Sequence, residues 1–253
     1  MRDEGTAVRM LPLGDAALTV EFGRTIAAAT RVRVTALAAA IETARSTGDP
    51  AFASVVDVVP TFRSLTLHFS RPGGDPGLAE RLAQMAAAAD GGATAGRHWR
   101  LPACFDAAFA PDLDDLAARA GIDRAAAVAL LRGARFEVGV IGFMPGFPYM
   151  SGVPARLSAP RLASPRTAVP ARSIAVTGEM CAVYPWRSPG GWRLVGSTPV
   201  DLFDPNDREP SLLAVGDTVE WDEIDADAHR AIAADLAAGR IGRHDFRVER
   251  AAA

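Results

Sequence analysis

Two arginines, each set behind a proline, and a series of stiff aromatic loops are the residues of this 253-residue chain whose types and spacing suit binding chemistry. Arg161 follows Pro160, and Arg166 follows Pro165. The proline fixes the backbone beside each guanidinium, and two such forks suit bidentate capture of a carboxylate or phosphate. The run Gly142-Phe143-Met144-Pro145-Gly146-Phe147-Pro148-Tyr149-Met150-Ser151-Gly152 alternates permissive glycines, φ-locked prolines and large rings. Such a loop presents aromatics at low entropic cost. Tyr184-Pro185-Trp186 and Ser188-Pro189-Gly190-Gly191-Trp192 repeat the pattern, with backbone amides at Gly190 and Gly191 suited to an anion. These residues define a substrate-binding set, Arg161, Arg166, Tyr149, Tyr184, Gly190, Gly191 and Trp192, and a partner-facing set, Phe143, Pro145, Phe147 and Pro148. Two other roles stay open: rings that fill the end of a barrel, and arginines paired at the surface.

What is missing narrows the chemistry. The sequence contains no lysine, and all 27 basic side chains are arginine. A P-loop, a Schiff-base or pyridoxal enzyme and a protein-kinase core each need a lysine, as does a covalently attached biotin. The histidines, His68, His98, His229 and His244, all lie outside the aromatic segment. A Ser-His-Asp or Cys-His site around Ser151, Ser188 or Cys181 therefore needs a histidine from a distant part of the chain. No spacing suits a zinc site, so no metal ligand and no catalytic base is assigned. Cys104 and Cys181 have neither CxxC spacing nor a framework of partners and read as two reduced, partly buried thiols. A net charge of -3 gives no attraction to phosphate backbones, so nucleic acid is not an expected partner. No run reaches the ~20 apolar residues of a membrane span. Met1-Arg2-Asp3-Glu4 opens no signal peptide, and the expected location is the cytoplasm.

The elements that must hold these residues follow from periodicity. Leu18, Val20 and Phe22 alternate as a strand; Ile26 to Arg45 is an alanine-rich helix; Val55 to Val59 and Leu65 to Phe69 are two strands; Leu78 to Ala89 is a second helix. This order predicts an α+β, ferredoxin-like domain over residues 1–92, ending in the small-residue linker Asp90 to Gly96. A strand at Trp99 and Leu101, helices over Leu113 to Ala120 and Ala125 to Arg132, and a strand over Val138 to Phe143 follow. From Pro145 to Pro210 the chain carries 11 of its 18 prolines, which forbids interior helix and leaves only short strands. A mainly β barrel over residues 93–222 is the simplest solution. Asp217 to Trp221 is its last strand, and residues 223–253 form a helix, Asp225 to Ala238, and a tail.

The segments GFMPGFPYMSGVP, PRTAVPA, VYPWRSPGGWRLVGSTP and LFDP resemble the B component of bacterial 5-oxoprolinase, a family also called KipI or allophanate hydrolase subunit 1, with carboxyltransferase subdomains C and D. LPLGDAALTVEFG, VVPTFRSLTLHF and APDLDDLA extend the likeness over most of residues 10 to 221. The resemblance implies a cyclophilin-like barrel and two partners: the C component of such an enzyme, itself a carboxyltransferase-like barrel protein, and its metal-associated A component. The implied reaction opens 5-oxo-L-proline, a lactam, to glutamate with hydrolysis of ATP, the nucleotide being bound through arginine, backbone or the complex. Two alternatives come with the same resemblance: a KipI-type inhibitor of a histidine kinase, and the acceptor side of a biotin-dependent urea or allophanate carboxyltransferase. Departures from the family pattern fall at Asp106 and Ala108 in place of a Gly-Gly-Glu run, Leu131 in place of His, Arg172 where VPAGS is usual, Met180 in place of Gln, and Ser197 in place of Arg.

Overall fold

The computed structural model describes residues 8–89 and 96–249, which divide into two compact units, Met1–Ala95 and Gly96–Ala253. The linker expected near residue 92 lies outside the described residues.

The first unit is a four-stranded antiparallel sheet built from β1 (Arg9–Pro12), β2 (Ala17–Glu21), β3 (Val55–Pro60) and β4 (Ser64–Phe69), with helices α1 (Ala28–Ser46) and α2 (Leu78–Ala88). Alternation in β4 places Leu65, Leu67 and Phe69 in one core with Val34, Leu37 and Ile41 of α1 and Leu82 of α2. The strand order is β1-β2-β4-β3. The ferredoxin-like layout expected here ends with a strand after the second helix. In this unit the place beside β2 is taken by β1, which pairs Arg9 with Glu21 and Pro12 with Leu18.

The second unit is a closed, mixed barrel of seven strands with helices packed on it. Its strands are β5 (His98–Cys104), β6 (Phe136–Ile141), β7 (Pro148–Ser151), β9 (Ser173–Thr177), β10 (Met180–Val183), β12 (Arg193–Ser197) and β13 (Thr218–Ile224). They run in the order β12-β9-β10-β7-β6-β13-β5, and pairing of Ser197 with Cys104 closes the circle. Among the described residues only β5 and β13 pair in parallel, over seven residues from Thr218↔His98 to Ile224↔Cys104. The short helices α3 (Leu113–Arg119) and α4 (Arg124–Arg132) add Leu113, Leu116 and Leu131 to the same core as Trp99, Phe136 and Trp221. The tail expected as a separate piece belongs to this unit: β13 runs to Ile224, α5 (Ala226–Ala237) follows it, and β14 (Arg247–Val248) pairs with β5.

Two short strands, β8 (Arg166–Val169) and β11 (Ser188–Gly190), form a separate antiparallel ribbon. Pro165 and Pro170 bracket β8, and Pro189 sits inside β11, so neither strand can extend into a full ladder. Among the described residues no helix is long and apolar enough to cross a membrane. Both cysteines are fully buried, and burial pushes both thiols up, Cys181 far above its ordinary range.

Candidate functional site

The barrel wall formed by β7, β9, β10 and β12 is covered on both faces, which explains why every residue of β9 is buried. Met150, Ile174, Val176, Cys181, Val183 and Val195 point into the barrel core. Their neighbours Tyr149, Ala175, Ala182 and Leu194 point outward, into a second cluster with Phe147, Val169, Tyr184 and Trp192. Small residues at 175 and 182 leave room for the rings. Phe147 is the hub: its ring meets Tyr184 edge-on at 5.1 Å, Trp192 edge-on at 6.1 Å, Phe143 edge-on at 5.4 Å and Tyr149 tilted at 4.9 Å. These are the spacings at which aromatic quadrupoles attract.

The ribbon β8–β11 brings two distant motifs together. Gly190 pairs with Arg166, and Ser188 with Val169. A Cβ on Gly190 would stand 2.3 Å from the Tyr184 hydroxyl oxygen, so only glycine lets the ribbon lie on that ring. Burial pushes the Tyr149 and Tyr184 phenols up against the opposite pull of Arg161, so both keep their protons at neutral pH.

Helix α3 fixes the charged rim. Asp112 accepts from Arg166 Nη2 at 2.6 Å through one carboxylate oxygen and from the Leu194 amide at 2.7 Å through the other. Arg166 Nη1 is left buried without a hydrogen-bond partner, a donor whose desolvation is uncompensated. Asp115 pairs with the buried Arg193, whose Nε donates to the Pro160 carbonyl at 3.3 Å. Arg161 then lies exposed, with its guanidinium 5.9 Å from the centre of the Trp192 ring.

The expected binding set is therefore drawn together on one face of the second unit, with corrections to individual roles. Tyr184 is 2% exposed and Trp192 4%, so they form the floor of the site and Tyr149 the half-buried wall. Phe147 and Pro148, expected to face a partner, are buried, because the outer face of the barrel needs the Phe147 ring to fill it. Phe143 is 66% exposed and Pro145 is exposed. Phe143 also holds φ 69, a left-handed conformation costly for a bulky residue. Gly146 turns the same loop at φ 73, where a Cβ would press within 2.6 Å of Phe203 Cβ.

Asp112 has no sequence signal that marks it as a site residue. Its position before a helix suggests an N-cap, but its side chain makes no capping bond and serves Arg166 instead. The positions that depart from the family pattern have structural roles. Leu131 fills the barrel core, Met180 packs against the aromatic cluster, and Asp106 accepts from the Ala226 amide at the start of α5. Arg172 holds φ 67, which a glycine would adopt without cost.

Ser197 Oγ lies 3.3 Å from His229 Nε2, which brings a distant histidine to the end of β12. Burial first, and the nearby Arg172 charge second, hold the His229 pKa below 6.5. The folded state therefore keeps His229 neutral where the unfolded chain takes a proton. Stability of the second unit is expected to be intact above pH 6.5 and to fall as pH drops toward the depressed folded value. Thermal melts of the parent and His229→Gln across that range check this; the variant should lose that part of the pH dependence. Among the described residues no group of three or more His, Cys, Asp or Glu is placed to hold a metal ion.

This arrangement can be set beside known proteins. Residues 8–213 match the family model of the carboxyltransferase domain, subdomain C and D. The chain is 33% identical over 227 residues to the B component of 5-oxoprolinase from Bacillus subtilis (strain 168), covering 84% of this chain and 91% of that protein. It is 39% identical over 144 residues to the B component of 5-oxoprolinase from Haemophilus influenzae, covering 57% of this chain and 68% of that protein. Among solved structures it is similar to TTHA0988, with a TM-score of 0.69 and 31% identity over 87% of this chain, and it spans only 41% of that longer chain. With most of its length matched by the family model and the Bacillus subtilis relative alike, the chain belongs to the family of the carboxyltransferase domain, subdomain C and D.

Proposed function

We propose that this protein is a non-autonomous component of an ATP-dependent, 5-oxoprolinase-type amidohydrolase that opens 5-oxo-L-proline to L-glutamate. The observation that carries the assignment of the site is the pairing of Gly190 with Arg166 over the Tyr184 ring, beside Arg161 and Trp192. The names of the relatives supply the substrate class.

Exposed Arg161 and, beside it, the partly exposed guanidinium of Arg166 are the cations proposed for the substrate carboxylate. The five-membered ring packs on Trp192 and Tyr149, with Tyr184 and Phe147 as rigid support. As water adds to the lactam carbonyl carbon and the C–N bond breaks, negative charge grows on the carbonyl oxygen and the released amine takes up a proton. The Gly190 and Gly191 amides are the donors proposed for that oxygen. ATP hydrolysis supplies the driving force. With no lysine in the chain, the nucleotide phosphates are held by arginine, backbone amides or the partner. Exposed Phe143 and Pro145 form the face offered to the barrel of the C component, and the A component completes the assembly in the cytoplasm. Phe143 supports this because strain concentrates where a loop serves an interaction.

The test is purification of this chain together with the A and C components of a 5-oxoprolinase, followed by assay of phosphate release. The expected result is ATP hydrolysis that depends on 5-oxoproline; an assembled complex without it overturns the proposal.

A further inference from the structure

A second recess in the same unit shares no side chain with the aromatic site. It is a cleft of about 680 Å³ between the loops around residues 185 and 203 and helix α5. Its size falls within the roughly 300–1,000 Å³ of small-molecule sites. One wall is aromatic: Trp186, 46% exposed, lies 5.6 Å from the Phe203 ring and is steadied by its Nε1 donating to the Pro145 carbonyl at 3.3 Å. The opposite wall is apolar, with Ala233, Leu236, Ala237 and Ile241.

The charges in the cleft divide into two kinds. Arg243 and His244 are engaged by Asp207, and Arg243 also donates to the Pro210 and Glu209 carbonyls. This group anchors the tail. Asp204 accepts from the Asn206 amide through one oxygen. Arg172 and Asp201 are different. Their nearest approach is 3.8 Å, their side chains are 34% and 61% exposed, and the only carbonyl Arg172 reaches is Pro199, at 3.3 Å. Arg172 also holds its strained φ of 67 at this place.

We propose that the cleft binds a free L-amino acid with an apolar side chain. A loosely joined guanidinium and carboxylate, side by side in a cleft that also has an apolar wall, match the two charges of an amino-acid zwitterion. Arg172 takes the α-carboxylate as a fork and Asp201 takes the α-ammonium, with the exposed Trp186 ring close by for its cationic charge. The side chain lies between Trp186 with Phe203 and the apolar face of α5. A pure anion would meet Asp201 and Asp204, and a pure cation would meet Arg172; only a ligand carrying both charges satisfies both sides. The site differs from the lactam site in residues and in ligand charge, so either assignment can fail alone.

The experiment is titration calorimetry of the full chain with L-phenylalanine, L-leucine and L-methionine, and with N-acetyl-L-leucine and L-leucinamide, which each lack one charge. At least one free amino acid should bind, and each one-charge analogue should bind about tenfold or more weakly than L-leucine, the loss expected of one charge-assisted contact. Arg172→Gly should abolish binding while melting no lower than the parent, because glycine removes the backbone strain together with the guanidinium. Asp201→Asn should weaken the free amino acids and leave N-acetyl-L-leucine bound no more weakly than before, because it removes a carboxylate that repels that anion. Failure of all three amino acids to bind, equal binding of the one-charge analogues, or unchanged binding by Arg172→Gly would overturn the proposal.

Discussion

Asp217→Ala is expected to cost the second unit about 3–5 kcal/mol, a larger loss than any other substitution proposed for this unit. The carboxylate is almost fully buried and accepts from five directions. Oδ1 takes the Arg97 amide at 2.8 Å; Oδ2 takes the Trp99 Nε1 at 3.0 Å and the Ala214 amide at 2.9 Å; Arg97 Nε and Nη2 approach Oδ2 at 3.0 and 2.9 Å. Alanine leaves the buried Trp99 indole without an acceptor, unpairs two partly buried amides, and strips Arg97 of its main counter-charge. Arg97 retains the Leu212 carbonyl and Glu209 and lies over the Trp99 ring at 5.1 Å, which limits the loss but does not replace the acceptor. Asp217→Asn keeps one acceptor oxygen and should lose less. Chemical unfolding of the three proteins reports the order parent, Asn, Ala; an alanine variant within about 1 kcal/mol of the parent would contradict it.

Gly190→Ala is expected to disable the candidate site and cost about 2–3 kcal/mol. The added methyl would stand 2.3, 2.8 and 2.9 Å from the Oη, Cζ and Cε1 atoms of Tyr184. That ring cannot swing away, since Phe147 meets it edge-on and it is buried on all sides. The ribbon β8–β11 must lift instead, carrying Arg166 away from Asp112. Tyr184→Phe should restore part of the stability in the alanine background, because it removes the nearest clashing atom. A double-mutant cycle measured by thermal melts checks this coupling, and additive effects would contradict it.

How far the sequence reveals this molecule depends on the range of the interactions involved. Helices α1, α2, α4 and α5 and strands β2, β4, β5 and β13 are legible because periodicity and breakers are local. The barrel is legible through proline density, which limits each strand to a few residues. The strand that flanks β2 is not, because β1 carries only Arg9 to Pro12 and has no clear alternation, with three of its four residues exposed. The aromatic loops are legible as a group, but the direction of each ring is not. Phe143 and Phe147 sit four residues apart in one loop, yet one is exposed and the other fills the outer face of the barrel. Asp112 and Arg166 are separated by 54 residues, and nothing local to either shows that they meet. The same holds for Ser197 and His229 and for the cleft at Arg172, which needs the tail helix to form one of its walls.

The most direct test of the functional assignment is the KM for 5-oxoproline of the three-protein assembly carrying either the parent chain or Arg161→Gln. Arg161 is exposed, its guanidinium lies against the Trp192 ring, and its replacement should leave the fold intact. Loss of one charge-assisted contact to the substrate carboxylate predicts a KM raised about tenfold or more, with an unchanged melting temperature. An unchanged KM in an active, folded assembly would contradict the placement of the substrate at this site.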